Sequence, residues 1–89
     1  MDKVRLNGNS MGTKELAHLY LNWKLDLPEY YGENLDALWD ILSVFSDPLE
    51  ITLYNSDKLI EHLGEYGESI IELLNDLADE NSNVSIIID

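Results

Sequence analysis

Three short stretches of this chain alternate apolar and polar residues, and the stretches between them repeat apolar residues every three to four positions. Val4 and Leu6 alternate with Lys3 and Arg5 ahead of Asn7-Gly8, which predicts a strand closed by a turn. Leu49, Ile51 and Leu53 alternate with Glu50, Thr52 and Tyr54, and Val84, Ile86 and Ile88 repeat the pattern near the end. Thr13 is placed to cap a helix carrying Leu16, Leu19, Tyr20, Trp23 and Leu27, which Pro28 closes. A loop over 27–34 follows, and its Asn34 caps a second helix from about Leu35 to Phe45, broken by Asp47-Pro48. Asp57 to Leu63 predicts a short helix ending near Gly64. Gly67 to Glu80 predicts a longer one with Ile70, Ile71, Leu74, Leu77 and Ala78 on one face, and Asn81-Ser82-Asn83 reads as a turn.

Strands separated by helices imply crossover connections and a parallel sheet. Strands of a sheet covered on both faces would be apolar throughout. These alternate, so the helices are expected mainly on one face. The expectation is a two-layer α/β fold with a three-stranded parallel sheet, forming a single domain over residues 1–89.

Charge changes this picture most. Eighteen acidic residues face five basic ones, for a net charge of −13, and no Lys or Arg follows Lys58 while eight acids do. Such a surface repels nucleic acid and anionic lipid and attracts basic proteins. Solubility alone also accounts for an acidic composition, so placement of the charges carries more than their sum. The chain has no cysteine, so neither disulfides nor thiolate metal sites are possible. It shows no signal-peptide pattern and no long apolar run. A cytoplasmic protein without membrane or nucleic-acid partners is expected.

The second helix carries the informative constellation. Leu35, Leu38, Ile41, Leu42 and Phe45 sweep out a broad apolar face, leaving a polar stripe of Asp36, Asp40 and Ser43. Like charges at i, i+4 disfavour an isolated helix. Asp36 is offset by the positive helix start, whereas Asp40 lies too far along to share that benefit. The stripe is either a solvated face or a surface kept for a partner. Trp39, Tyr30 and Tyr31 beside it serve either packing or contact.

Other chemistry finds little support. His18 and His62 lack metal-ligand spacing, no calcium-loop, phosphate-loop or nucleophile motif occurs, and neither a metal nor a cofactor is expected. His18 reads as a helix-surface histidine, and the glycines as turns. Three functions remain open: an inhibitory binding module, an acidic module for some other basic protein, and an enzyme using the carboxylate pair. Nothing suggests a cleft around that pair.

The run Leu27-Pro28-Glu29-Tyr30-Tyr31-Gly32-Glu33-Asn34-Leu35-Asp36-Ala37-Leu38-Trp39-Asp40 resembles the signature of barstar, the family of intracellular inhibitors of barnase-type ribonucleases. Val4-Arg5-Leu6-Asn7-Gly8 and Val84-Ser85-Ile86-Ile87-Ile88 resemble its first and last strands. The resemblance implies a barstar-like fold and a basic ribonuclease as partner, bound 1:1. It implies that Asp40 enters the nuclease active site at a phosphate position and that Asp36 meets an arginine. Tyr30, Asn34 and Trp39 would frame the contact, with Ser43, Phe45, Asp76 and Glu80 at further interface positions. Between Asp40 and Pro48 the chain is one residue shorter than barstar, and Ile41 and Ser82 stand where barstar has cysteines.

Overall fold

The computed structural model describes residues 2–89. Strand β1 (Asp2–Asn7) leads through a 3-10 turn at Gly8–Ser10 into helix α1 (Lys14–Leu25) and helix α2 (Leu35–Leu42). Strand β2 (Leu49–Tyr54), helix α3 (Ser56–Leu63), helix α4 (Glu65–Glu80) and strand β3 (Val84–Ile88) complete the order. The sheet runs β1-β2-β3 with both pairings parallel, so β2 is central.

Register explains the one-sided burial. Val4, Ile51 and Ile86 align across the sheet, as do Leu6, Leu53 and Ile88, and these rows face the helices. Leu6, Ile51 and Leu53 are fully buried there with Leu21, Leu38, Leu42, Leu59, Ile70, Leu74 and Leu77. The opposite face carries Lys3, Arg5, Thr52, Tyr54, Ser85 and Ile87, and the Arg5 guanidinium lies 4.7 Å from the centre of the Tyr54 ring. This is the expected α/β arrangement, with the helices mainly on one face.

Helices α1 and α2 depart furthest from the sequence expectation. In α1 the buried residues are Ala17, His18 and Leu21, whereas Leu16, Leu19 and Trp23 are exposed. The helix is apolar on more than one side, and the line containing small Ala17 faces the core. Its end comes at Asp26, which adopts left-handed backbone (φ 51°) and donates its N–H to the Asn22 carbonyl, so Leu27 lies outside the helix. Helix α2 stops at Leu42, three residues short of Phe45. The physical reason lies across the fold. Asn81 donates its side-chain amide to the carbonyls of Leu42 and Phe45 (3.0 and 2.9 Å), and the Asn83 amide is a second donor to Phe45. These bonds satisfy carbonyls that would otherwise need another helical turn.

Helix α4 begins at Glu65, before the expected Gly67. Gly67 sits where α4 meets α3. A Cβ there would lie 2.7 Å from the Leu59 carbonyl oxygen, so glycine permits the close approach of the two helices.

Candidate functional site

The loop over 27–34 and helix α2 form one continuous presentation surface. Asn34, in extended backbone, accepts the Ala37 N–H on its side-chain oxygen at 2.8 Å and donates its amide to the Gly32 carbonyl at 3.1 Å. It therefore caps the helix and braces the loop together. Glu33 occupies the left-handed region (φ 55°), a backbone state that non-glycine residues adopt at a cost. Asn34→Ala is expected to lower stability by about 1 kcal/mol, measured as a shift in the urea unfolding midpoint with unchanged slope.

The adjacent tyrosines divide their roles. Tyr30 is 81% exposed, whereas Tyr31 is buried. Asp36 and Asp40 are both exposed, and neither is paired with a lysine or arginine; among the described residues the one ion pair is Lys58–Glu61, on α3. The two aspartates border different hollows. Asp36 shares a groove between α2 and α4 with Leu35, half-buried Trp39, Glu72, Leu73 and Asp76. Asp40 shares a hollow on the other flank of α2 with Tyr30, Gly32, Ala37 and Ile41. Helix α2 thus forms a ridge with an aromatic residue and a carboxylate on each side.

Electrostatics reinforce that geometry. Neither α2 nor α4 contains a basic residue. Lys14 and Lys24 are directed onto the rings of Tyr66 and Trp23, and Lys58 holds Glu61. The negative field over α2 and α4 therefore has no counter-charge from these helices themselves.

The remaining expected site residues divide. Asp76 is exposed and stands in the groove beside Asp36. Glu80 is exposed at the end of α4, next to Asn81, which anchors the end of α2. Ser43 is the C-cap of α2 and half-buried, and its αR backbone (φ −67°, ψ −22°) continues the helical turn for one residue. The stripe Asp36–Asp40–Ser43 therefore retains its direction. Phe45, expected within the helix, instead lies in the segment after it, half-buried against the core, because Asn81 and Asn83 hold its carbonyl. Two contributors went unforeseen. Glu72 lies one helical turn before Asp76 on the same groove, a spacing visible in the sequence. Asn81, read as a turn residue, is buried and governs where α2 ends.

His18 corrects another expectation. It is 3% exposed, with Nδ1 2.5 Å from the Tyr31 hydroxyl and Nε2 2.5 Å from the Tyr66 hydroxyl. Burial lowers its pKa from the ordinary value, against an opposing pull from the Glu33 carboxylate. Burial also raises the phenol pKa of Tyr31 and Tyr66, and for Tyr31 the repulsion that an ionised Tyr66 would exert and the Glu33 carboxylate add to it. A histidine whose folded pKa is depressed binds fewer protons than the unfolded chain. Its contribution is fully present above about pH 6.5 and is lost as pH falls toward the lowered value. Urea unfolding at pH 7 and pH 5.5 should accordingly show a larger loss of stability for the wild type than for His18→Gln. Equal losses would place the titrating group elsewhere.

A two-layer α/β module with an acidic ridge is the class of protein that this fold and surface define. The chain belongs to the barstar family: the family described as "Barstar (barnase inhibitor)" matches residues 1–88. It is also 38% identical over 81 residues to a protein of Bacillus subtilis (strain 168) named "Putative ribonuclease inhibitor YrdF", covering 90% of this chain and 89% of that relative. No helix among the described residues is long and apolar enough to cross a membrane.

Proposed function

We propose that this chain is a non-catalytic inhibitor of a basic, barnase-type ribonuclease and blocks its active site with α2. Membership of the barstar family supports the inhibitory role. The observation that carries the mechanism is the ridge itself: two exposed carboxylates, one turn apart, with no cation paired to either among the described residues. An RNA-cleaving site must bind phosphates, so it offers arginines, lysines or protonated histidines at fixed spacing. Asp40 fills one phosphate position and Asp36 meets a neighbouring arginine. Tyr30 and Trp39 exclude water on either flank, and Asn34 holds the loop against the helix. Ser43 and Phe45 extend the contact beyond α2, while Asp76 and Glu80 widen it along α4. The complex is one inhibitor to one enzyme, and it forms in the cytoplasm.

Titrating ribonuclease activity with the purified chain tests this reading. Inhibition should be complete at one equivalent. Association should slow at least about tenfold between 0.1 and 1 M salt, as the screening length falls from about 10 to about 3 Å. Binding without loss of RNA cleavage would instead mark a module for another basic protein. Association independent of salt would remove electrostatic steering from the mechanism.

A further inference from the structure

We propose that His18 is a positioning residue for the partner-binding loop: it links Tyr31 to Tyr66 and so holds Tyr30 and Asn34 in the shape that the ribonuclease meets. The proposal rests on the inhibitory reading above for its partner and on the geometry for the clamp.

Three elements meet at this histidine. It projects from α1, Tyr31 belongs to the loop, and Tyr66 lies in the first turns of α4. The hydrogen-bond accounting selects one arrangement. Tyr31 is buried, so its hydroxyl proton needs an internal acceptor, and Nδ1 of a neutral ring is the acceptor in reach. Nε2 then carries the ring proton and donates it to the Tyr66 oxygen. Tyr66 is half-buried and can direct its own proton to solvent. Protonating the ring would turn Nδ1 into a donor and strand the Tyr31 proton. The charged groups facing this cluster are Lys14 and Glu15 from α1 and Glu33 from the loop, and Lys14 lies 4.6 Å from the centre of the Tyr66 ring.

The neighbouring loop residues show what the clamp restrains. Tyr31 donates its N–H to the Pro28 carbonyl at 3.0 Å, Glu33 sits in left-handed backbone, and Asn34 bonds back to Gly32. Tyr30 is exposed between two residues of this network and has no side-chain hydrogen bond of its own among those seen. Its backbone is placed by the turn in which Tyr31 bonds back to Pro28, and Tyr31 is held by His18. Pre-ordering such a loop lowers the cost of binding and lengthens the life of the complex.

The test is Tyr66→Phe, with Tyr31→Phe and the double variant. Tyr66 lines a hollow that holds Glu33 of the loop but none of Tyr30, Asp36 and Asp40, and the hydrogen bonds that join its hydroxyl to the loop run through His18 to Tyr31. Amide hydrogen exchange over 29–34 should accelerate about fivefold in Tyr66→Phe, the equivalent of one net hydrogen bond. Dissociation from a barnase-type ribonuclease should quicken by a similar factor, with association within about twofold of wild type. Tyr66→Phe should add nothing further once Tyr31→Phe has cut the chain. Unchanged loop exchange in Tyr66→Phe, with only global stability lowered, would overturn the proposal. If the wild type inhibits no ribonuclease while Tyr66→Phe still loosens the loop, the inhibitory reading fails and the clamp stands. If inhibition is intact and loop exchange does not move, the clamp fails alone.

Discussion

Replacing Asp40 by alanine is expected to weaken the ribonuclease complex by about 3–5 kcal/mol while leaving the free inhibitor as stable as before. The binding loss follows from the partner's side. Cations gathered to hold a phosphate repel one another, and closing α2 over them removes the water that would otherwise screen them. Withdrawing the anion from the phosphate position leaves the charge there buried and unpaired, which costs about this amount. The dissociation constant should rise by roughly two to three and a half orders of magnitude, mostly through faster dissociation. Stability follows different rules. Asp40 is exposed and pairs with no cation among the described residues. Alanine is the better helix former, and the change also relieves the repulsion from Asp36 one turn away. Unfolding in urea should thus be unchanged or a few tenths of a kcal/mol harder. Asp36→Ala is the informative contrast. It too should weaken binding, but it also removes an acid from the first turn of α2, at a cost of about 0.3–1 kcal/mol of stability. A loss of binding under about 1 kcal/mol for Asp40→Ala, by calorimetric titration, would take Asp40 out of the centre of the contact.

The strands were legible because alternation has a period of two, and a slip of one residue would send every apolar side chain to the wrong face. Val4, Leu6, Ile51, Leu53 and Val84 could face only one way, and the register places them together. The start of α2 was legible for a local reason: Asn34 satisfies the Ala37 N–H within four residues of itself. Helix α1 was ambiguous because its apolar residues form two overlapping lines. Ala17, Leu21 and Leu25 compete with Leu16, Leu19 and Trp23, and only the sheet decides between them. The choice turned His18 inward, and its partners Tyr31 and Tyr66 lie 13 and 48 residues away. No local pattern encodes a bond across that separation. The end of α2 was hidden for the same reason, since Asn81 reaches Leu42 across 39 residues.

The site shows the same division. Asp36, Asp40 and Ser43 share a stripe by helical arithmetic alone, so their common direction could be read from spacing. That Asp36 borders α4 while Asp40 borders the Tyr30 loop could not, because it depends on α2 lying beside α4. Glu72 joins the groove through that same packing.

Gly8 and Gly12 stand four residues apart and should respond to alanine with opposite signs. Gly8 is buried at the end of β1, where the chain turns beneath the start of α3. A Cβ there would lie 2.2 Å from the Asn55 carbonyl oxygen and 3.1 Å from the Leu59 Cβ. That carbonyl cannot simply swing away, because it accepts the N–H groups of Lys58 and Leu59 that open α3. The methyl must instead push the end of β1 from the end of β2, whose last pair is Asn7 and Tyr54, and must break the Asn55 amide bond to Asn7. Backbone displacement of this kind costs about 3 kcal/mol, so Gly8→Ala should lower the melting temperature by about 12–24 °C in a domain of this size. Gly12 is exposed, lies outside the left-handed region and has no atom within 4 Å of an added Cβ. Alanine there only narrows the unfolded ensemble, a gain of about 0.4–1 kcal/mol. Thermal unfolding of the two variants measures both, and a Gly8→Ala protein as stable as wild type would mean that β1 and α3 do not meet as closely as this packing requires.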